Sequence, residues 1–174
     1  MINVIVNSSQ IPEGPAAFNT MNLQTIQLIA YDFDGVMTDN TVMVNQDGIE
    51  SVRVHRGDGW AISQIKKQNI SQIIISTEKN PVVSKRAEKL GLPCIQGCDD
   101  KKSALTDYCN ENDIAIDKVL FIGNDMNDFE VMSAVGFTAC PGDAHDKIKK
   151  ISNIVLSRNG GDGALRELFD QISV

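Results

Sequence analysis

The chain has 174 residues, enough for one domain with a sizeable core. Its 42% hydrophobic content is that of an ordinary globular protein. Sixteen basic against 23 acidic residues leave a formal charge of −7 and a pI near 4.7. That balance argues against nucleic acid or an anionic membrane as partner. It also repels an anionic substrate, so phosphate binding here requires a divalent cation and locally placed lysines. Cys94, Cys98, Cys109 and Cys140 fit no zinc spacing and no histidines cluster near them, as expected of a reduced protein. No basic amino-terminal region precedes an apolar run, and no run approaches membrane-spanning length, so a cytoplasmic protein is expected.

Residues 1–22 are polar and broken by Pro12, Gly14 and Pro15; they read as a variable leader or the remnant of a linker, with a short strand over 2–6. The domain proper is expected over residues 23–174. An apolar run over 26–31 then drives into Asp32-Phe33-Asp34-Gly35, the pattern of a strand buried on both faces that ends in a tight turn. The two aspartates alternate along extended backbone and point to different sides, so one can attack while the other handles a proton. Residues 41–44 and 49–54 are β-prone and are joined by Asn45-Gln46-Asp47-Gly48, which predicts a hairpin serving as a flap or an oligomer contact.

Asp58 is expected to cap a helix running to about Gln68. A second buried strand over 71–76 ends in Ser76-Thr77-Glu78-Lys79. Asn80 and Pro81 supply a cap and a first-turn proline for a helix that reaches Leu90 and stops at Gly91. A short third strand covers 93–96, and Asp99 and Asp100 open the helix carrying Lys101. The fourth strand, 117–122, ends in Gly123-Asn124-Asp125-Met126-Asn127-Asp128. A helix over 129–135, a strand over 137–139, a helix around 144–150 and a strand over 153–156 follow. The tail from Arg158 is glycine-rich and leads into an amphipathic helix over 164–172. Strands alternating with helices predict a three-layer, Rossmann-like α/β fold with a parallel sheet.

In such a sheet the strand ends carrying Asp32 and Asp34, Ser76, and Asp125 and Asp128 lie on one edge, with Lys101 beside them. Several carboxylates together call for a hard cation, and Mg²⁺ is the natural choice. Ser76 can hydrogen-bond a phosphoryl oxygen, and Lys101 can neutralise nucleophile and phosphate. A carboxylate nucleophile makes an aspartyl-phosphate, and Asp34 is placed to protonate the leaving alkoxide and then activate water.

The order DxDGV…TD, a serine after an isoleucine-rich strand, a lysine, then GNDxND resembles the haloacid dehalogenase (HAD) superfamily of phosphohydrolases, over residues 23 to the end. The resemblance implies Asp32 as nucleophile, Asp34 as acid/base, Ser76 as the second-motif hydroxyl and Lys101 as the third-motif lysine. It implies Mg²⁺ held by Asp32, Asp34 and Asp125, with Asn124 as an alternative ligand and Asp128 in support. The intervals after Asp34 and after Lys101 are too short for a cap domain. Capless members resemble 3-deoxy-D-manno-octulosonate 8-phosphate (KDO-8-phosphate) phosphatases, which are tetramers with packed hairpins, and the tail Gly160–Glu167 is similar to the GGxGAxRE tail of that group. The chain departs from it in two places. Ser76-Thr77-Glu78 stands where those phosphatases usually read T-G-R. Glu78 with Arg86 and Lys89 looks more like 2-keto-3-deoxynononate 9-phosphate phosphatases, or the HAD module of some CMP-sialic acid synthetases, and can read a sugar acid's hydroxyls and carboxylate. Asn124 stands where the family commonly has Asp, which weakens metal binding or activity.

The expected activity is therefore a Mg²⁺-dependent phosphatase of an eight- or nine-carbon 2-keto-3-deoxy sugar acid phosphate. The alternative is a weakly active module serving a sialic-acid-type cytidylyltransferase. A phospho-receiver domain also gathers acids, a hydroxyl and a lysine at strand ends, but it stores its phosphate and should lack a base placed like Asp34.

Overall fold

The computed structural model describes residues 23–172. The expected leader lies outside the described residues. Six parallel strands form one sheet: β1 (Leu28–Tyr31), β4 (Ser71–Ile75), β5 (Cys94–Ile95), β6 (Val119–Ile122), β7 (Phe137–Cys140) and β8 (Ile154–Val155), in the order β5-β4-β1-β6-β7-β8. The chain steps outward from β1 to β4 and β5, then returns to the other side for β6, β7 and β8. The point of reversal is therefore the carboxyl end of β1, where open α/β sheets bind ligands.

Alternation along the strands divides the core into two layers. Ile29, Tyr31, Ile74, Leu120 and Ile122 face one side, under α1 (Arg56–Lys67), α2 (Val82–Leu90) and α6 (Ala164–Ile172). Leu28, Ala30, Ile73, Ile75, Val119 and Phe121 face the other, under α3 (Lys101–Glu111), α4 (Phe129–Met132) and α5 (Asp146–Ile151). Every residue of β1 and β6 is buried, because helices cover both faces. Each fully buried Ile or Leu contributes about 1.5–3 kcal/mol.

Between β1 and α1 stands only the hairpin, β2 (Met43–Val44) and β3 (Glu50–Ser51); among the described residues no cap domain is inserted. The hairpin turns at the predicted place, with the Gly48 N–H donating to the Asn45 carbonyl at 3.0 Å. Its paired length is shorter than the predicted strands, because only its root touches the body. There Thr38 bridges to Val54, and Val52 and Val54 pack on the core. Further out, Met43, Val44 and Ile49 are at least 60% exposed.

Asp58 does not cap α1. The helix begins two residues earlier, and the His55 ring accepts the Gly57 N–H at 3.1 Å. Asp58 is instead buried in the first turn and accepts the Arg166 N–H at the start of α6 (3.2 Å). The helix predicted over 129–135 is a 3-10 turn (Met126–Asp128) running into the single turn of α4, which ends at Met132. The Asn80 side chain accepts the Val82 N–H at 3.1 Å, as its position before Pro81 predicts. All four cysteines are free.

Candidate active site

Asp32 continues β1 by donating its N–H to the Ile122 carbonyl (2.9 Å), and its carboxylate accepts the Phe33 N–H at 2.7 Å. It is 3% exposed, whereas Asp34 on the following turn is half-buried. Gly35 has φ +77°, and a Cβ there would overlap the Asn124 amide. Glycine is thus required on both backbone and steric grounds.

Lys101, from the first turn of α3, is buried and places Nζ 2.7 Å from Asp32 Oδ1 and 2.6 Å from Asp128 Oδ1. Asp128 is fully buried, and its other oxygen accepts the N–H groups of Asn124 (2.9 Å) and Asp125 (3.3 Å). Asp128 therefore holds the lysine and the β6 turn, and its own oxygens are occupied. Burial, and then the neighbouring Asp128, push the Asp32 carboxyl up, against the pull of Lys101. Burial works against the Lys101 ammonium, but Asp32 and Asp128 together raise it. One cation faces two buried acids, so the strand end carries a net negative charge only when both are ionised, which burial opposes at Asp32.

The Asn124 amide lies 3.3 Å from Asp32 Oδ2 and 2.9 Å from the Asp34 carbonyl oxygen. With its nitrogen inward the amide donates to both; with its oxygen inward, three oxygens converge on one point. Among the described residues no three Asp, Glu, His or Cys side chains gather as a metal cluster. A carboxylate, a main-chain carbonyl and an amide nonetheless make a hard oxygen set that fits Mg²⁺, which keeps several waters. Asp125 is exposed, and its carboxylate accepts the Met126 N–H at 2.7 Å. The Asn124 amide reaches both aspartates, and Asp125 lines the same cleft.

Ser76, buried at the end of β4, lines the same cleft, which has a volume of about 270 Å³. Its Oγ accepts the Glu78 N–H at 3.1 Å. Burial pushes the Asp34 carboxyl up, and Glu78 adds to it. The Glu78 carboxylate accepts the N–H groups of Lys79 (2.6 Å) and Asn80 (2.7 Å). Arg86 and Lys89 do not line the cleft of their own chain. Arg86 turns toward α1, with Nη2 3.4 Å from the His55 carbonyl and a buried Nε that has no partner, and Lys89 is exposed. Asn40, Met126 and Asn127 also line the cleft. Sequence reasoning missed them; the one available signal was their position on the turns after β1 and β6.

The family model described as haloacid dehalogenase-like hydrolase matches residues 67–168. The KDO-8-phosphate phosphatase of Salmonella typhi is 31% identical over 159 residues, which cover 90% of this chain and 85% of the relative. A HAD family hydrolase structure from Streptomyces avermitilis superposes with a TM-score of 0.85 at 42% identity, covering 87% of each chain. The Moraxella catarrhalis KDO-8-phosphate phosphatase, solved with magnesium, phosphate and KDO, gives a TM-score of 0.83 at 29% identity, covering 86% of this chain and 87% of its own. The Haemophilus influenzae phosphatase, solved in a cobalt-bound form, gives 0.82 at 28% identity and covers 86% and 88%. The chain belongs to the haloacid dehalogenase-like hydrolases, in the capless phosphatase group that resembles the KDO-8-phosphate phosphatases.

Proposed function

We propose that the protein is a Mg²⁺-dependent phosphomonoester hydrolase acting on an eight- or nine-carbon 2-keto-3-deoxy sugar acid phosphate. The observation that carries this reading is the buried Lys101 between Asp32 and Asp128, with the Asp34 carbonyl and the Asn124 amide beside the free Asp32 oxygen. A carboxylate oxygen of Asp32 attacks phosphorus while the bond to the sugar oxygen breaks and Asp34 gives that oxygen its proton. In the second step Asp34, now a carboxylate, takes a proton from water as the water attacks the phosphoryl group. Phosphate departs and the Asp32 carboxylate is restored. Ser76 donates to a phosphoryl oxygen, and Lys101 balances the charge of nucleophile and phosphate. Mg²⁺ would be held by Asp32, the Asp34 carbonyl and Asn124, with Asp125 at the rim, and would neutralise charge developing on the phosphoryl oxygens.

The substrate class rests on the named relatives and on Glu78, which does not line the cleft but stands close enough to Asp34 to raise its carboxyl. Because Arg86 and Lys89 lie outside their own chain's cleft, a part for them in reading the sugar acid requires a neighbouring subunit. A homotetramer built through the apolar hairpins would supply that neighbour, and exposed Met43, Val44 and Ile49 support it. Among the described residues no helix is long and apolar enough to cross a membrane.

The test is phosphate release with Mg²⁺ from KDO-8-phosphate, 2-keto-3-deoxynononate 9-phosphate, N-acetylneuraminate 9-phosphate and p-nitrophenyl phosphate. Preference for one sugar acid is expected. No release from any of the four by folded protein would overturn the reading and favour the module of a CMP-sialic acid cytidylyltransferase, for which Asn124 in the place of an aspartate is the supporting feature.

A further inference from the structure

Behind the cleft, the loop that carries Asp34 is braced by a side chain and by the glycine-rich tail. Thr38 is fully buried. Its Oγ1 accepts the N–H of Gly35 at 3.1 Å and that of Asn40 at 3.3 Å. A hydroxyl has two acceptor positions and one hydrogen. With both lone pairs engaged, the hydrogen is directed to Asp34 Oδ1, 3.4 Å away. The tail closes on the same loop from outside. The Gly161 N–H donates to the Val36 carbonyl at 3.1 Å, and the Gly160 N–H to Asp143 on the loop after β7 at 3.0 Å. Gly161 has φ +65°, and a Cβ there would stand 2.5 Å from the Thr38 and Asp39 backbone; one on Gly160 would overlap the Gly35 carbonyl. The tail thus meets the loop backbone to backbone, at a distance no side chain permits.

We infer that Thr38 and the Gly160–Gly161 turn are positioning residues that fix the Asp34 carboxyl as proton donor to the leaving group. Asp34 is half-buried on a short turn, and an unbraced carboxyl there samples several rotamers, of which one meets the leaving oxygen. This inference rests on the acid/base part given to Asp34 under the proposed function.

A merely structural brace would lower all activity alike, whereas a brace of the acid acts selectively. A sugar alkoxide needs a proton to leave, and p-nitrophenolate does not. The experiment compares kcat/KM for KDO-8-phosphate and p-nitrophenyl phosphate in wild type, Thr38→Val, Thr38→Ser, Gly161→Ala and Asp34→Asn, with thermal melting of each. In Thr38→Val the sugar phosphate is expected to lose about 10–100-fold more than the aryl phosphate, the scale of a misplaced catalytic group. Thr38→Ser, which keeps the hydroxyl, restores the wild-type ratio. Gly161→Ala keeps the hydroxyl, displaces the loop from outside and moves the ratio the same way, so the test does not depend on one variant's folding. Asp34→Asn separates the two levels. If it shows no leaving-group selectivity, the acid role itself fails. If it is selective while Thr38→Val and Gly161→Ala lower both substrates equally or not at all, the positioning inference is overturned.

Discussion

Replacing Lys101 with Met removes the one cation between two buried carboxylates while keeping most of the side chain's volume. Asp32 and Asp128 are 3% and 0% exposed, so water cannot take over from the lost ammonium. Breaking a buried pair by deleting one partner costs about 3–5 kcal/mol, and two orphaned acids place this variant toward the upper end. A domain of this size shifts its midpoint by about 2–4 °C per kcal/mol. Lys101→Met should therefore melt roughly 6–20 °C below wild type at pH 7 without metal, measured by circular dichroism. The sign of the pH dependence follows from Asp32, which burial already raises and which loses the group that lowered it. An acid whose folded-state value lies above its unfolded value stabilises on protonation, so stability falls as pH rises through that window. The deficit should accordingly shrink on acidification. Lys101→Met/Asp128→Asn, with one acid neutralised, should regain part of the loss. A single variant melting within about 1 °C of wild type at pH 7 would refute the buried triad.

Other predictions follow from neighbouring contacts. Asn124→Asp puts a charged oxygen beside Asp32 Oδ2 and the Asp34 carbonyl, so the Mg²⁺ concentration for half-maximal activity should fall, while the metal-free protein melts lower. Asp58→Asn removes a carboxylate raised by burial, whose Oδ2 has no partner. Because that folded-state value is raised, the variant's advantage in melting temperature should be present above it and vanish below the unfolded value. Ile49→Lys charges the exposed hairpin and should lower the sedimentation mass toward the monomer; an unchanged mass would remove the hairpin from any interface.

Much of the fold is legible because its signals are local. The strands over 28–31, 71–75 and 119–122 announce themselves as apolar runs ended by polar turns, and the alternation with helices dictates a parallel sheet. Asp32, Asp34, Ser76 and Lys101 are legible as residues that strand order brings to one edge. What escapes is pairing between distant groups. Nothing local says that Asp128 holds Lys101 from 27 residues away, or that the Asn124 amide turns toward Asp32. Asp58 has the chemistry of a cap for α1, but the His55 ring takes the free N–H and Asp58 bonds to α6 instead. Arg86 and Lys89 share a helix as expected, yet Arg86 turns to the His55 carbonyl, Lys89 is exposed, and neither lines the cleft.

The most direct test of the account is Mg²⁺-dependent turnover of the preferred sugar acid phosphate by wild type and Asp32→Asn, with acid quenching of labelled substrate. The account predicts phosphate release and protein-bound label on Asp32 in wild type, and neither in the nearly isosteric variant. Undiminished release by Asp32→Asn would contradict it.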